Sequence, residues 1–119
     1  MITVNQNLQP LYRGDNREYN LTFTNINGEA IDITNWKIYF TVKKNYNDND
    51  NQAIIKKDIT IHYDPRNGKT KIILLPVDTD NLVPNRYYYD IQIKRGVEDI
   101  ITILQGKILI KADVTRRTD

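Results

Sequence analysis

Cysteine is absent from the 119 residues of this chain. That absence excludes a disulfide framework and any thiolate metal site, so a packed core must hold the fold unaided. Histidine is almost absent too: His62 stands alone. One imidazole cannot assemble the usual zinc ligand sets, and no nucleophile is paired with it in sequence, so an outward-facing strand residue is expected there. A charge excess is also lacking. The 17 basic and 15 acidic residues leave a net +2, spread among loops and outer strand faces, which gives no support to a dedicated nucleic-acid binder. No apolar run approaches membrane-spanning length, so no membrane partner is expected. Met1 to Gln6 has no basic region followed by an apolar run, so a secretory leader is not expected either. The Asn20-Leu21-Thr22 glycosylation sequon is accordingly expected to stay unused.

What is present is alternation. Trp36, Ile38, Phe40 and Val42 share one side of an extended stretch, and Lys37, Tyr39, Thr41 and Lys43 share the other. This run carries the most apolar bulk on one face and is read as the central strand of one of two packed sheets. Tyr19, Leu21 and Phe23 alternate with Asn20, Thr22 and Thr24; Tyr87, Tyr89, Ile91 and Ile93 alternate with Tyr88, Asp90, Gln92 and Lys94. Residues 3–8 read as a short first strand, and Ala53–Lys57 as an edge strand blunted by its lysines. Ile59, Ile61 and Tyr63 alternate before Asp64-Pro65-Arg66-Asn67-Gly68, which predicts a hairpin with the strand from Lys69 to Leu75. Pro76 to Leu82 is the one place for a helical turn. Ile100 to Lys111 reads as a long last strand in which Gly106 marks a bulge or a close approach of another chain.

Seven to nine strands and no long helix predict an all-β, immunoglobulin-like antiparallel β-sandwich, with an OB-type barrel as the rival. One domain spans residues 1–119, with a polar tail from about Asp113. The core is expected to hold Tyr19, Leu21, Phe23, Trp36, Ile38, Phe40, Ile61, Ile72, Leu74, Tyr89, Ile91, Thr102, Leu104 and Ile108.

Sites are sparse. Asp48, Asp50 and Gln52 have the spacing that opens a calcium loop, but Ala53 stands where the glycine belongs and Ile59 where the closing glutamate belongs, so a solvated loop is expected. Asp78 with Asp80, and Asp90 with Asp99, are the carboxylate pairs open to glycosidase chemistry, and each has a plainer role at a cap or turn. No catalytic residue, metal or cofactor is expected, and the chain is not read as an enzyme. Arg13-Gly14-Asp15 spells an integrin tripeptide where a turn is wanted in any case. Tyr39, Tyr46 and Tyr88 are candidates for exposed rings that stack on sugars or anchor an interface. With Asp48, Asp50, Arg66 and Arg95 from the loops at 44–52, 64–68 and 95–99, they form the candidate partner-contact set.

A further set of segments holds a recognisable order. Arg13-Gly14-Asp15 precedes the first core strand, and Gly28-Glu29-Ala30-Ile31-Asp32-Ile33 leads into the Trp36 stretch. Asn67-Gly68-Lys69-Thr70-Lys71-Ile72 is followed by Leu74 to Leu82, then by Tyr87-Tyr88-Tyr89-Asp90-Ile91-Gln92 and by Leu104-Gln105-Gly106-Lys107-Ile108-Leu109-Ile110. Over about residues 11–116 the chain resembles the N-terminal immunoglobulin-like domain of baseplate upper proteins and related tail-structural proteins of phages infecting Gram-positive bacteria. Pro84-Asn85 replaces the glycine typical of that family before the tyrosine-rich strand. The resemblance implies a virion component of the tail or baseplate, made in the bacterial host cytoplasm. Its partners would be other virion proteins or further copies of itself, and its role would be assembly or host attachment. A carbohydrate-binding or host-surface adhesion module is the alternative.

Overall fold

A computed structural model of the chain describes residues 2–5, 10–45 and 47–112. Among them eight strands form in chain order: β1 (Thr3–Asn5), β2 (Leu11–Tyr12), β3 (Arg17–Thr24), β4 (Lys37–Lys43), β5 (Ile55–Ile59), β6 (Lys69–Leu74), β7 (Asn85–Lys94) and β8 (Ile100–Lys111). A helical turn α1 (Pro76–Thr79) and two 3-10 turns, Asp50–Gln52 and Pro65–Asn67, lie between strands. The chain is all-β, as its alternation predicts. The tail from Asp113 and residues Gln6 to Leu8 of the expected first strand lie outside the described residues.

The strands form a three-stranded sheet, β1-β3-β6, and a five-stranded sheet, β2-β8-β7-β4-β5. Pairing is antiparallel except at one place: β2 runs parallel to β8, Leu11 opposite Ile110 and Tyr12 opposite Lys111. The Trp36 stretch becomes β4, an interior strand between β7 and β5, while β7 holds the middle of the sheet. The inner faces of the two sheets supply one buried cluster. Tyr19, Leu21, Phe23, Ile72 and Leu74 enter it from the smaller sheet. Ile38, Phe40, Val42, Ile91, Ile93, Ile108 and Ile110 enter it from the larger. Each such side chain contributes roughly 1.5–3 kcal/mol on burial. Trp36 stands edge-on to Phe23, ring centroids 5.9 Å apart, so an aromatic contact also links the chain before β4 to β3.

Several expectations are corrected. The hairpin from Ile59 to Leu75 does not form. β5 belongs to the large sheet and β6 to the small one, so Thr60 to Tyr63 must cross between sheets. Alternation therefore stops carrying burial at Ile59, and Ile61 is 88% exposed instead of in the core. The edge strand is shifted from 53–57 to Ile55–Ile59. In β8 the bulge falls at Ile103, because Ile91 pairs with Leu104 while Gln92 pairs with Thr102. The extra residue flips the phase, which puts Thr102 on the outer face, exposed. Gly106 is not the bulge; it faces a side chain of the same chain, and a Cβ there would lie 3.3 Å from the Tyr89 ring on the neighbouring strand. Trp36, Tyr89 and Leu104 are half-buried against the core, not within it. Leu11, Ile33, Val42, Ile55, Tyr87, Ile93 and Ile110 complete the buried set.

His62 is not an outward strand residue. It lies in the crossing segment, half-buried, with Nε2 2.8 Å from the Trp36 carbonyl oxygen and Nδ1 2.8 Å from Thr70 Oγ1. Thr70 is fully buried in β6, and this bond satisfies its hydroxyl.

Candidate functional site

Alternation on five strands sends one set of side chains to the outer face of the large sheet. From β4 come Lys37, Tyr39, Thr41 and Lys43, and from β7 Arg86, Tyr88, Asp90, Gln92 and Lys94. β5 adds Lys56 and Asp58, opposite Thr41 and Tyr39. β8 adds Ile100, Thr102, Gln105, Lys107, Leu109 and Lys111, and β2 adds Tyr12. Seven of these are basic and two, Asp58 and Asp90, are acidic, whereas the whole chain balances 17 against 15. The excess missing from the composition is concentrated on this face.

The register arranges it further. Lys37 lies directly opposite Lys94, a like-charge pair that costs stability where it stands. Tyr88 lies between Lys43 on one side and Lys107 on the other. In the middle, Tyr39 faces Gln92 and Gln92 faces Thr102, with its amide donating to the Thr102 hydroxyl at 3.0 Å. Thr41, Asp90 and Gln105 form the adjacent row. Three rings on this face carry an ammonium group: Lys37 at 5.3 Å from the Tyr39 centroid, Lys107 at 5.6 Å from Tyr88 and Lys111 at 5.6 Å from Tyr12. An open hollow of about 400 Å³ lies among Thr41, Lys43, Tyr88, Asp90, Gln105 and Lys107.

A second hollow, about 430 Å³, lies on the flank where β5 and β6 end their sheets. Ile59, Ile61, Tyr63 and Ile73 line it with Lys57 and Lys71 at its margin. Ile61 is 88% exposed, Tyr63 53% and Ile73 46%. Leu75 and Val77, also exposed, follow Ile73 toward α1. Lys57 pairs with Asp78, 2.8 Å from its Nζ, so this cation of the lining is neutralised. This apolar flank is not visible in the sequence, where Ile61 reads as core. The one signal for it is Ile73 with Leu75, apolar on the phase opposite to Ile72 and Leu74.

The candidate contact residues scatter over these features. Tyr39 and Tyr88 share the outer face, as expected, but stand four strand positions apart in register, roughly 13 Å along the strands. They do not form one flat ring platform. Tyr46 lies outside the described residues. Asp48 holds its own loop, accepting the Asn45 N–H at 3.0 Å, and Asp50 opens the 3-10 turn. Arg66 is exposed in the Pro65–Asn67 turn. Arg95 bridges to Asp99 at 2.8 Å within the β7–β8 hairpin loop and lies over the Trp36 ring, 5.9 Å from its centroid. Among the described residues no group of three or more His, Asp or Glu is placed to hold a metal ion.

The carboxylate pairs have structural partners. Asp78 accepts the Leu75 N–H at 2.7 Å and pairs with Lys57, so it caps α1. Asp99 is held by Arg95 at the hairpin, remote in register from Asp90. The Arg13-Gly14-Asp15 turn docks on α1: Arg13 donates to the Leu82 carbonyl at 3.2 Å and the Gly14 N–H to the buried Thr79 hydroxyl at 2.9 Å. Neither a known protein family nor a curated protein sequence matches this chain.

Proposed function

We propose that this chain is a non-enzymatic, immunoglobulin-like β-sandwich module that assembles or anchors a phage baseplate or tail adhesion apparatus, as its resemblance to baseplate upper proteins implies. Two features support the immunoglobulin-like reading. The order β2-β8-β7-β4-β5 against β1-β3-β6 parallels the two-sheet immunoglobulin arrangement. Tyr87, at the start of β7, donates its hydroxyl to the Val83 carbonyl upstream, the geometry of a tyrosine corner.

The observation that carries the assembly reading is the apolar flank. Ile61, Tyr63 and Ile73 are exposed together at the edges of both sheets, where a solvated edge favours charge. The lysines of β5 oppose simple strand addition, so the occupant is another virion protein that inserts apolar side chains between β5 and β6. Co-expression with the products of the neighbouring genes, followed by size-exclusion light scattering, tests this. A defined complex that Ile61→Asp abolishes is the expected result. A monomer with every neighbouring product contradicts it.

The carbohydrate-binding or host-surface adhesion reading stands second. It is favoured by Tyr39 and Tyr88 on one face with Gln92, Thr41 and Asp90 between them.

A further inference from the structure

We infer that the outer face of the five-stranded sheet binds an anionic polysaccharide, a sugar chain bearing carboxylate or phosphate groups, laid along β7. This inference rests on the carbohydrate-binding reading and names the ligand class.

Three observations carry it. First, seven basic against two acidic positions make the face cationic in a chain that is close to neutral. A face of this kind attracts and orients an anionic partner. Second, the charge stands at the two ends. Lys37 and Lys94 form one cluster, and Lys43 with Lys107 forms the other, six residues further along β7, or roughly 20 Å. The Lys37–Lys94 opposition is a local cost that an anion between the two ammonium groups removes. Third, the ground between the clusters on β4, β7 and β8 carries no lysine or arginine and is hydrogen-bonding. Gln92, Thr102, Thr41 and Gln105 surround Asp90 there, a mixture of donors and acceptors suited to sugar hydroxyls.

Other polyanions fit less well. Single-stranded nucleic acid asks for open rings along a continuously cationic track. Here each of the three rings already carries a lysine, and Asp90 stands in mid-path. An acidic protein surface asks for an apolar core poor in lysine, and the apolar patch lies on the β5–β6 flank instead.

The test titrates the chain with polygalacturonate, phosphomannan, neutral dextran and oligo-dT by calorimetry at low and physiological salt. Saturable binding to polygalacturonate or phosphomannan, weakening as salt rises, is expected, and the better of the two identifies the anion. Lys94→Glu with Lys107→Glu should weaken it roughly tenfold or more. Lys69→Glu, on the other sheet, should leave it unchanged. Gln92→Ala with Gln105→Ala should also weaken it, which a purely coulombic attraction would not show. Circular dichroism checks that each variant is folded. Dextran binding as tightly as the acidic glycans overturns the anionic inference and leaves the carbohydrate reading standing. Binding to oligo-dT alone, or to nothing, overturns both.

Discussion

His62 is joined to Trp36 across the boundary between the two sheets: Nε2 lies 2.8 Å from the Trp36 carbonyl oxygen. A carbonyl only accepts, so Nε2 carries the proton, and in the neutral ring Nδ1 accepts from the Thr70 hydroxyl at 2.8 Å. One imidazole thus ties the approach to β4 to the buried face of β6. His62→Ala removes both bonds and leaves the Thr70 hydroxyl buried without this partner. Chemical denaturation should show a loss of about 2 kcal/mol. Adding Thr70→Val should cost less than the sum of the two single changes, because they share a bond. A fully additive pair would contradict the assignment.

Two glycines with the same backbone hand differ in surroundings. Gly28 has φ +80° and open space where a Cβ would stand, whereas at Gly68 (φ +72°) that position lies 2.5 Å from the Phe23 carbonyl oxygen and 2.8 Å from that of Ile31. The Gly68 carbonyl accepts the Phe23 N–H at 2.8 Å, so backbone, not a flexible side chain, blocks the space. Gly28→Ala should cost about 1 kcal/mol, the left-handed penalty alone. Gly68→Ala should cost roughly 3 kcal/mol or more, measured by the same denaturation experiment. Equal losses would contradict the close packing.

Burial pushes the Tyr19 phenol above its ordinary 10.0, against the smaller opposing pull of Arg17, and burial raises Tyr87 as well. A raised folded-state pKa contributes stability that is present below the unfolded value and lost as pH rises through the folded one. The contribution of these two phenols should therefore be flat below about pH 10 and fall above it. Tyr19→Phe should flatten this alkaline limb. Tyr87→Phe should do so too, at a cost of about 1 kcal/mol near neutrality from the lost bond to Val83. An alkaline limb unchanged in both variants would contradict the account.

At the acid end Asp32 behaves oppositely. The Thr34 hydroxyl, then the Thr34 N–H at 2.9 Å, donate to its carboxylate and hold it below the usual 3.8, with Arg66 a lesser contributor. A depressed pKa contributes stability present above the unfolded value and lost as pH falls through the folded one. NMR titration should place the Asp32 midpoint below 3.8 and move it upward in Thr34→Val. No movement in that variant would contradict the assigned cause.

Within a strand, the sequence is readable. Tyr19-Leu21-Phe23 and Ile38-Phe40-Val42 are buried as their alternation requires, because a strand with one dry face leaves that pattern directly in the chain. Between strands it is not. Ile61 continues the alternation of Ile59, yet it faces solvent, because alternation does not say which sheet the next strand joins. Thr102 fails for a different reason: one extra residue, Ile103, reverses the phase beyond it. The candidate sites depend on that missing information. That Tyr39 and Tyr88 point outward is legible; that four register positions separate them is not. The cationic face is hidden because Lys37, Lys94 and Lys107 are distant in sequence and become neighbours only through β4–β7 and β7–β8 pairing.

The assembly claim is tested most directly by comparing two variants within one defined complex of this chain with its neighbouring gene product. Ile61→Asp with Ile73→Asp alters the β5–β6 flank, and Lys94→Glu with Lys107→Glu alters the outer face, while both pairs of substitutions lie outside the buried core. Light scattering should show the complex lost in the flank variant and retained in the outer-face variant. Retention in the flank variant, with loss in the outer-face variant, would contradict docking through Ile61 and Ile73.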